Sequence, residues 1–465
     1  TPASVQELID DRLARLAPAL HDTLRRVAVL GENTDFAILS RIDDAPVDQL
    51  VPALSELCQR GFLVETETGY RFEHDLLQEA VYRNIDPALL TVLHRRAGEA
   101  LEAIDPDRVA SMAFHFSRGQ VFEKALEYAL KAADHAVMVS DYESALAHYQ
   151  RAHELTEDDP RQRWDVLSRT RHLLRILGRY EAHQAAIGEM LQLAQEIGDA
   201  AIRARTLFFL GNMQQISGIP SAALETLREA LALISAGTQQ KLVGQILLQI
   251  AYAHWRLGNV AQCQTKAEEA LTIFRSIEDR QEQVCVLRFL NSLHVGITGD
   301  YAAGLACSEE SRRFSLETGD AYLAATDLGN IALARILLGD YEGAQEPLDE
   351  ALDFMSEIGD YDIRGGLLIF QAINDRCLGR LDEAREAGLR ALEICRQAAD
   401  ANFEIEASGK LGLVAMAQGD LEEARSWFEQ AVTLAESSEQ ALDCAENRSH
   451  LAFVQARLGN WDEAL

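Results

Sequence analysis

Apolar residues recur every three or four positions along most of this chain, and glycines break the pattern at regular intervals. The breaks fall at Gly178, Gly218, Gly258, Gly299, Gly339, Gly379, Gly419 and Gly459, in steps of 40, 40, 41, 40, 40, 40 and 40 residues. A fixed period of this size predicts stacked supersecondary units rather than one compact globule. The unit around Gly339 is the clearest. A helix over 321–338 runs through Leu323, Leu328, Ile331 and Leu338. Gly339 permits the left-handed backbone that stops it, and Asp340 can cap the next helix. That second helix ends near Ile358-Gly359-Asp360. Ala344 and Ala351 stand five and twelve residues after the anchor, where small side chains let two helices approach. Equivalent alanines are Ala223 and Ala230, Ala384 and Ala391, and Ala424 and Ala431. A large residue two after the anchor, as at Tyr180, Tyr301, Tyr341, Leu381, Leu421 and Trp461, is expected to wedge between them. Each unit is thus two antiparallel helices of roughly 15–18 residues, about 25 Å long. Neither helix can bury its apolar face alone, so neighbours must stack.

The first hundred residues follow another plan. Val5, Leu8, Ile9, Leu13 and Leu16 share one face of a helix over 4–17, and a second helix covers 19–30 and ends at Gly31. A short helix near 35–41 and another over 47–60 follow. Residues 62–72 change to two β-prone arms about a turn containing Gly69, which predicts a hairpin. Helices followed by a hairpin predict a winged helix-turn-helix. His74 to Tyr82 opens the next helix, with Asp75 and Gln78 spaced as a capping box. Helices near 88–104, 107–118, 121–139 and 142–156 lead into the array, and Ser140-Asp141-Tyr142 already has the form of the later turns.

Charge and composition narrow the function. The formal net charge is −31, from 43 Lys+Arg against 74 Asp+Glu. The candidate recognition helix 47–60 carries Asp48, Glu56 and Arg60, and the hairpin carries Glu65, Glu67 and Arg71. A reader of DNA sets Arg and Lys on phosphates and base edges, so no direct contact with nucleic acid is expected, nor with an anionic membrane. No apolar run near the roughly 18 residues of a membrane span stands out. Seven scattered cysteines with no Cys-x-x-Cys pair predict reduced thiols and a cytoplasmic protein. Gly-x-x-x-x-Gly-Lys-Ser/Thr, His-Glu-x-x-His and Gly-x-Ser-x-Gly are all absent. The acidic pairs Glu268-Glu269 and Glu422-Glu423 are expected to be a solvated face. No enzyme, catalytic residue, metal site or cofactor is expected within these residues. The chain starts without Met and stops at Ala464-Leu465 inside a unit, which suggests a piece of a longer protein.

The Gly-Asp-Tyr turns with alanine five and twelve residues on resemble the tetratricopeptide pattern over about 160–465, although 40 residues exceed that family's usual 34. The N-terminal region adds a second resemblance. Glu7 to Leu16, Ala28-Val29-Leu30-Gly31, Tyr70 to Tyr82 and Leu93 to Ala97 look like the stretch after the nucleotide-binding module of signal-transduction ATPases. That group includes large LuxR-type activators and ATPase-linked cyclases. The resemblance implies a winged helix joined to a tetratricopeptide arm that senses an inducer or partner. ATP would then bind a separate upstream domain, through which the protein could homo-oligomerise.

The resemblance also implies that the first helix of each unit lines a concave groove, with positions three, six, ten and thirteen before each anchor facing it. Between Gly178 and Gly299 this selects His172, Arg205, Phe208, Asn212, Gln215, Gln245, Tyr252, Trp255 and Phe289 as candidate binding residues. Rigid aromatics with amides and Arg form the make-up of a recognition surface. Further on the same positions turn apolar, as at Leu333, Ile336, Ile369, Ile373 and Leu413. The competing reading is that tight stacking buries these side chains as core.

The expected fold is all-α: an α-solenoid of antiparallel helix pairs preceded by a small winged-helix-like domain. Residues 1–87 would be that domain, 88–160 a helical connector with irregular first repeats, and 161–465 about eight 40-residue repeats, the last truncated. The expected function is a sensor or protein-interaction arm that binds a protein, peptide or small effector in the groove. The alternatives are a passive scaffold for a partner peptide or helix, and the non-catalytic part of a cyclase-type enzyme.

Overall fold

The computed structural model describes residues 9, 11–31, 34–42, 47–234, 239–398, 400–437 and 441–464. Val5 and Leu8 lie outside them, whereas Ile9, Leu13 and Leu16 are buried as their spacing predicts. The chain forms two compact units, Thr1–Thr206 and Leu207–Leu465.

The first unit opens with α1 (Pro18–Leu30), β1 (Thr34–Asp35), α2 (Phe36–Ile42), α3 (Val47–Gln59), β2 (Leu63–Glu65), β3 (Gly69–Phe72) and α4 (Asp75–Arg83). The hairpin β2–β3 is extended by β1 into an antiparallel sheet of order β1-β3-β2. Glycine is required at position 69, because a Cβ there would sit 2.0 Å from the Thr34 carbonyl oxygen. Leu24, Leu39, Leu54, Leu57, Phe72 and Leu77 close one core beneath the sheet. The expected capping box at α4 does not form. His74 is the N-cap residue without a side-chain bond, Asp75 is already helical, and the Gln78 amide donates to the Ala28 carbonyl at 3.4 Å.

Next come α5 (Pro87–Ile104), α6 (Val109–Arg118), α7 (Phe122–Met138), α8 (Tyr142–Glu154), α9 (Pro160–Ile176) and α10 (Tyr180–Ile197). Alanines at 125, 129, 133, 145 and 152 let these helices approach around Met112 and Phe116. Ser140 takes the left-handed backbone (φ 60°) at the turn that foreshadows the glycine anchors.

The division between units falls inside α11 (Ala200–Ile216). The second unit continues with α12 (Pro220–Ala232), α13 (Gln240–Arg256), α14 (Val260–Ser276), α15 (Arg280–Leu293), α16 (Tyr301–Glu317), α17 (Ala321–Leu338) and α18 (Tyr341–Ile358). It ends with α19 (Tyr361–Cys377), α20 (Leu381–Ala398), α21 (Ala401–Gln418), α22 (Leu421–Ser437), α23 (Ala441–Leu458) and α24 (Trp461–Ala464). The unit repeats helix pairs as an α-solenoid. Gly339 has φ 83°, the Asp340 carboxylate accepts the Gly343 N–H at 3.0 Å, and Ala344 and Ala351 are fully buried. The wedge expectation holds only in part. Tyr301, Tyr341, Leu381 and Leu421 are half-buried, but Tyr180 and Trp461 are exposed.

Acidic residues do more than solvate the surface. Arg275 pairs with Glu310 at 2.7 Å, Arg312 with Glu350 at 2.9 Å, and Arg385 with Glu423 at 2.5 Å, each linking second helices of successive pairs. Glu423, expected in a solvated face, is half-buried between Arg385 and the Trp427 indole N–H. Neighbouring repeats are thereby stitched on their polar side.

The one 41-residue step has a structural origin. α15 ends in a π-helical turn, His294–Thr298, in which the Gly299 N–H donates to the His294 carbonyl five residues back. The extra residue is absorbed there, and Gly299 still reaches the left-handed cap (φ 69°). A second departure concerns α17, which reaches the length and mean hydropathy (1.3) of a membrane span although the sequence pattern suggests none. Half of it is buried inside the unit, where its apolar residues pack between α16 and α18.

Candidate binding site

In the second unit the selected positions converge on α11, α13 and α15. Tyr252 and Trp255 stand three apart on α13 and so share a face. Their rings lie near parallel at 6.3 Å between centroids. Phe289 of α15 fills the angle between them, 4.3 Å from the Tyr252 ring and 5.2 Å from that of Trp255. Phe289 is 3% exposed, Trp255 is half-buried against the same core and Tyr252 is 36% exposed, so Phe289 serves as backing and Tyr252 presents most of the surface. Burial, with the Cys285 thiol on α15 adding to it, raises the Tyr252 pKa, and the phenol stays neutral at ordinary pH.

The amides have divided roles. Gln215 is buried and donates to the Gln249 carbonyl at 2.8 Å and to its side-chain oxygen at 3.1 Å, tying α11 to α13. Gln245 donates to Glu282 at 2.5 Å, tying α13 to α15. Lys241 reinforces the same edge at Asp279, 2.8 Å away. These side chains position helices. Asn212 differs: its Oδ1 is buried with no hydrogen-bond partner, and the same holds for Gln214 Oε1 and Asn291 Oδ1. Such acceptors cost about 1–3 kcal/mol each unless something donates to them. Phe208 is half-buried beside Phe209, ring centroids 5.7 Å apart.

His172 and Arg205 belong to the first unit, where both are exposed. Desolvation of the His172 ring, with Arg175 and Arg171 nearby, lowers its pKa. The cluster on α11, α13 and α15 is built from second-unit residues alone. At the apolar positions the core reading fits best: Ile336 and Ile369 are buried, and Leu333, Ile373 and Leu413 half-buried.

Sequence reasoning missed one polar element beside the cluster. Arg288, next to Phe289, donates to Asp327 of α17 at 3.2 Å, and the Ser311 hydroxyl donates to the other carboxylate oxygen at 2.6 Å. Asp327 is fully buried, and desolvation raises its pKa against the pull of Ser311 and Arg288. The available signal was an acidic residue in the middle of an otherwise apolar helix. All seven cysteines are free thiols, and among the described residues no cluster of three His, Cys, Asp or Glu could hold a metal.

The fold has known counterparts. A signal-transduction ATPase with numerous domains and a tetratricopeptide repeat sensor, from Pyrococcus horikoshii, superposes with a TM-score of 0.59 at 15% identity over 92% of this chain. The alignment spans 64% of the archaeal chain. The apo form of the quorum sensor NprR from B. thuringiensis superposes with a TM-score of 0.54 at 15% identity, over 74% of this chain and 96% of NprR. At such identities the likeness is one of fold. In sequence, an uncharacterised protein of Rhizobium meliloti (strain 1021) is 28% identical over 136 residues, 27% of this chain and 13% of its own length. The tetratricopeptide repeat model matches residues 366–437 and 403–465, so this end of the second unit consists of tetratricopeptide repeats.

Proposed function

We propose that this chain is the non-catalytic sensor and protein-interaction arm of a signal-transduction regulator. A partner peptide or small effector would seat on Tyr252 and Trp255. The observation that carries this reading is the exposed Tyr252 ring beside half-buried Trp255, both backed by buried Phe289, with the unpartnered acceptors of Asn212 on α11 and Asn291 on α15. Aromatic anchors supply contact area at little entropic cost, and the acceptor supplies direction. The fold shared with a tetratricopeptide sensor and a quorum sensor supports a recognition role.

In this proposal residues 1–87 form a winged-helix-like domain, 88–160 a connector and 161–465 the repeat array. Three helices against a three-stranded sheet support the first assignment. Exposed Asp48, Glu65 and Glu67, and the Arg60–Glu56 ion pair, support a packing role rather than DNA contact. An ATPase and an output domain, LuxR-type or cyclase-like, would lie elsewhere in a cytoplasmic protein and carry ATP and self-association. Ligand binding would act by favouring one of two states of that switch.

A thermal-shift screen against metabolites and displayed peptides tests the proposal. Stabilisation that disappears in Tyr252→Ala/Trp255→Ala is expected; stabilisation unchanged in that variant would overturn the assignment.

A further inference from the structure

A second site, independent of the aromatic cluster, lies in the first unit. A cavity of about 620 Å³ opens between α5, α6, α7 and α8, within the size range of small-molecule pockets. Its lining includes His94, Phe114, Arg118, Phe122, Arg151 and Glu154. Phe114 and Phe122 are 38% and 56% exposed.

Acids outnumber bases 74 to 43 in this chain, but the cavity lining reverses that balance, with Arg118 and Arg151 against Glu154 alone. Among the described residues neither Arg118 nor Arg151 makes an ion pair or a side-chain hydrogen bond; the Arg118 guanidinium only stands 5.8 Å from the Phe114 ring. Both sit in the last turn of their helices, α6 and α8, where the helix dipole favours a cation. Gln120, which also lines the cavity, holds a left-handed backbone (φ 56°) without being glycine.

His94 adds no charge. It is fully buried, its Nε2 against the Tyr82 hydroxyl at 2.8 Å and its Nδ1 against His115 Nδ1 at 2.9 Å. Burial and Arg118 lower its pKa to about 4. The charged lining is therefore two guanidiniums and the Glu154 carboxylate, a net single positive charge that matches a monoanion better than a phosphate. The Phe114 and Phe122 faces match an apolar body.

We propose that this cavity binds a monocarboxylate with an apolar or aromatic body, its carboxylate held by Arg118 and Arg151. The test is calorimetric titration of the full chain with 4-phenylbutyrate, indole-3-propionate and octanoate. The neutral 4-phenylbutanol and the variant Arg118→Gln/Arg151→Gln are the controls. At least one acid should bind the wild type about tenfold or more tightly than the alcohol, and the double variant should lose about tenfold in affinity. Tyr252→Ala/Trp255→Ala should bind like the wild type, which separates this site from the aromatic cluster. A peptide ending in Phe with a free carboxylate, beside its amidated form, distinguishes a chain terminus from a free acid as the source. Equal affinity for acid and alcohol, unchanged binding in the double variant, or no saturable binding by any of the acids would overturn the proposal.

Discussion

The rings of Tyr252 and Phe289 meet at 4.3 Å between centroids, tilted by 57°, where α13 faces α15. One is 36% exposed and the other 3%, so the pair separates recognition from support. Phe289→Ala should cost about 3–4 kcal/mol of second-unit stability, as a large buried ring does. Tyr252→Ala should cost less, about 1 kcal/mol. Urea unfolding of the two variants checks the order; equal costs would show that the rings share one role.

The first unit should lose stability in acid through His94 and His115. Their folded pKa values are held at about 4 and about 3, by burial first and then by Arg118 for His94 and by His94 and Arg108 for His115. The unfolded chain takes up these protons near pH 6.5, and the native state does not until much lower. Stability therefore falls as pH drops from about 6.5 toward about 3, by at most about 1.4 kcal/mol per pH unit for each histidine. His115→Leu should flatten part of that slope while lowering stability at neutral pH. Hydrogen exchange in 109–118 at pH 7 and pH 5 reads the difference; an unchanged slope would contradict the assignment.

Asp327 has the opposite linkage. Its folded pKa lies above the ordinary carboxylate value, chiefly through desolvation, so the charged form weighs against folding at neutral pH. Asp327→Asn keeps one acceptor oxygen for Arg288, turns an amide N–H toward the Ser311 hydroxyl, which can accept, and removes that weight. The variant should be as stable as the wild type or more so at pH 7, with the advantage vanishing in acid. A loss of more than about 2 kcal/mol at pH 7 would show that the Arg288 pair outweighs desolvation.

Several turns keep a left-handed residue that is not glycine. Ser140 (φ 60°) and Glu278 (φ 54°) occupy the conformation that Gly339 (φ 83°) holds elsewhere. Ser140→Gly and Glu278→Gly should each stabilise by about 1 kcal/mol, and Gly339→Ala should destabilise by a similar amount. Melting temperatures of the three variants test the sign.

The repeat architecture was legible because its punctuation is local. Gly339, Asp340, Ala344 and Ala351 each do a job set by backbone angle, cap or helix approach, and those jobs recur every 40 residues. Even the π turn at 294–298 left a trace, the single step of 41. Less was legible where partners are distant or an element is short. Strand β1 has two residues and exists because Gly69 lets the Thr34 carbonyl approach. The ion pair of Arg288 and Asp327 joins positions 39 residues apart on helices that only stacking brings together. The capping box at Asp75 failed because the helix begins one residue earlier than the spacing implied, with Asp75 already inside it. For the candidate site, register selected Tyr252, Trp255 and Phe289 together, but not which of them would be buried.

The central claim is that the Tyr252 and Trp255 rings of α13 carry recognition. Calorimetric titration of wild type and Tyr252→Ala/Trp255→Ala with the tightest peptide or metabolite from the screen tests it most directly. Loss of both anchors should weaken binding by about 30-fold or more, the scale of a hot spot, with the variant still folded by circular dichroism. Affinity within about twofold of wild type would contradict the account.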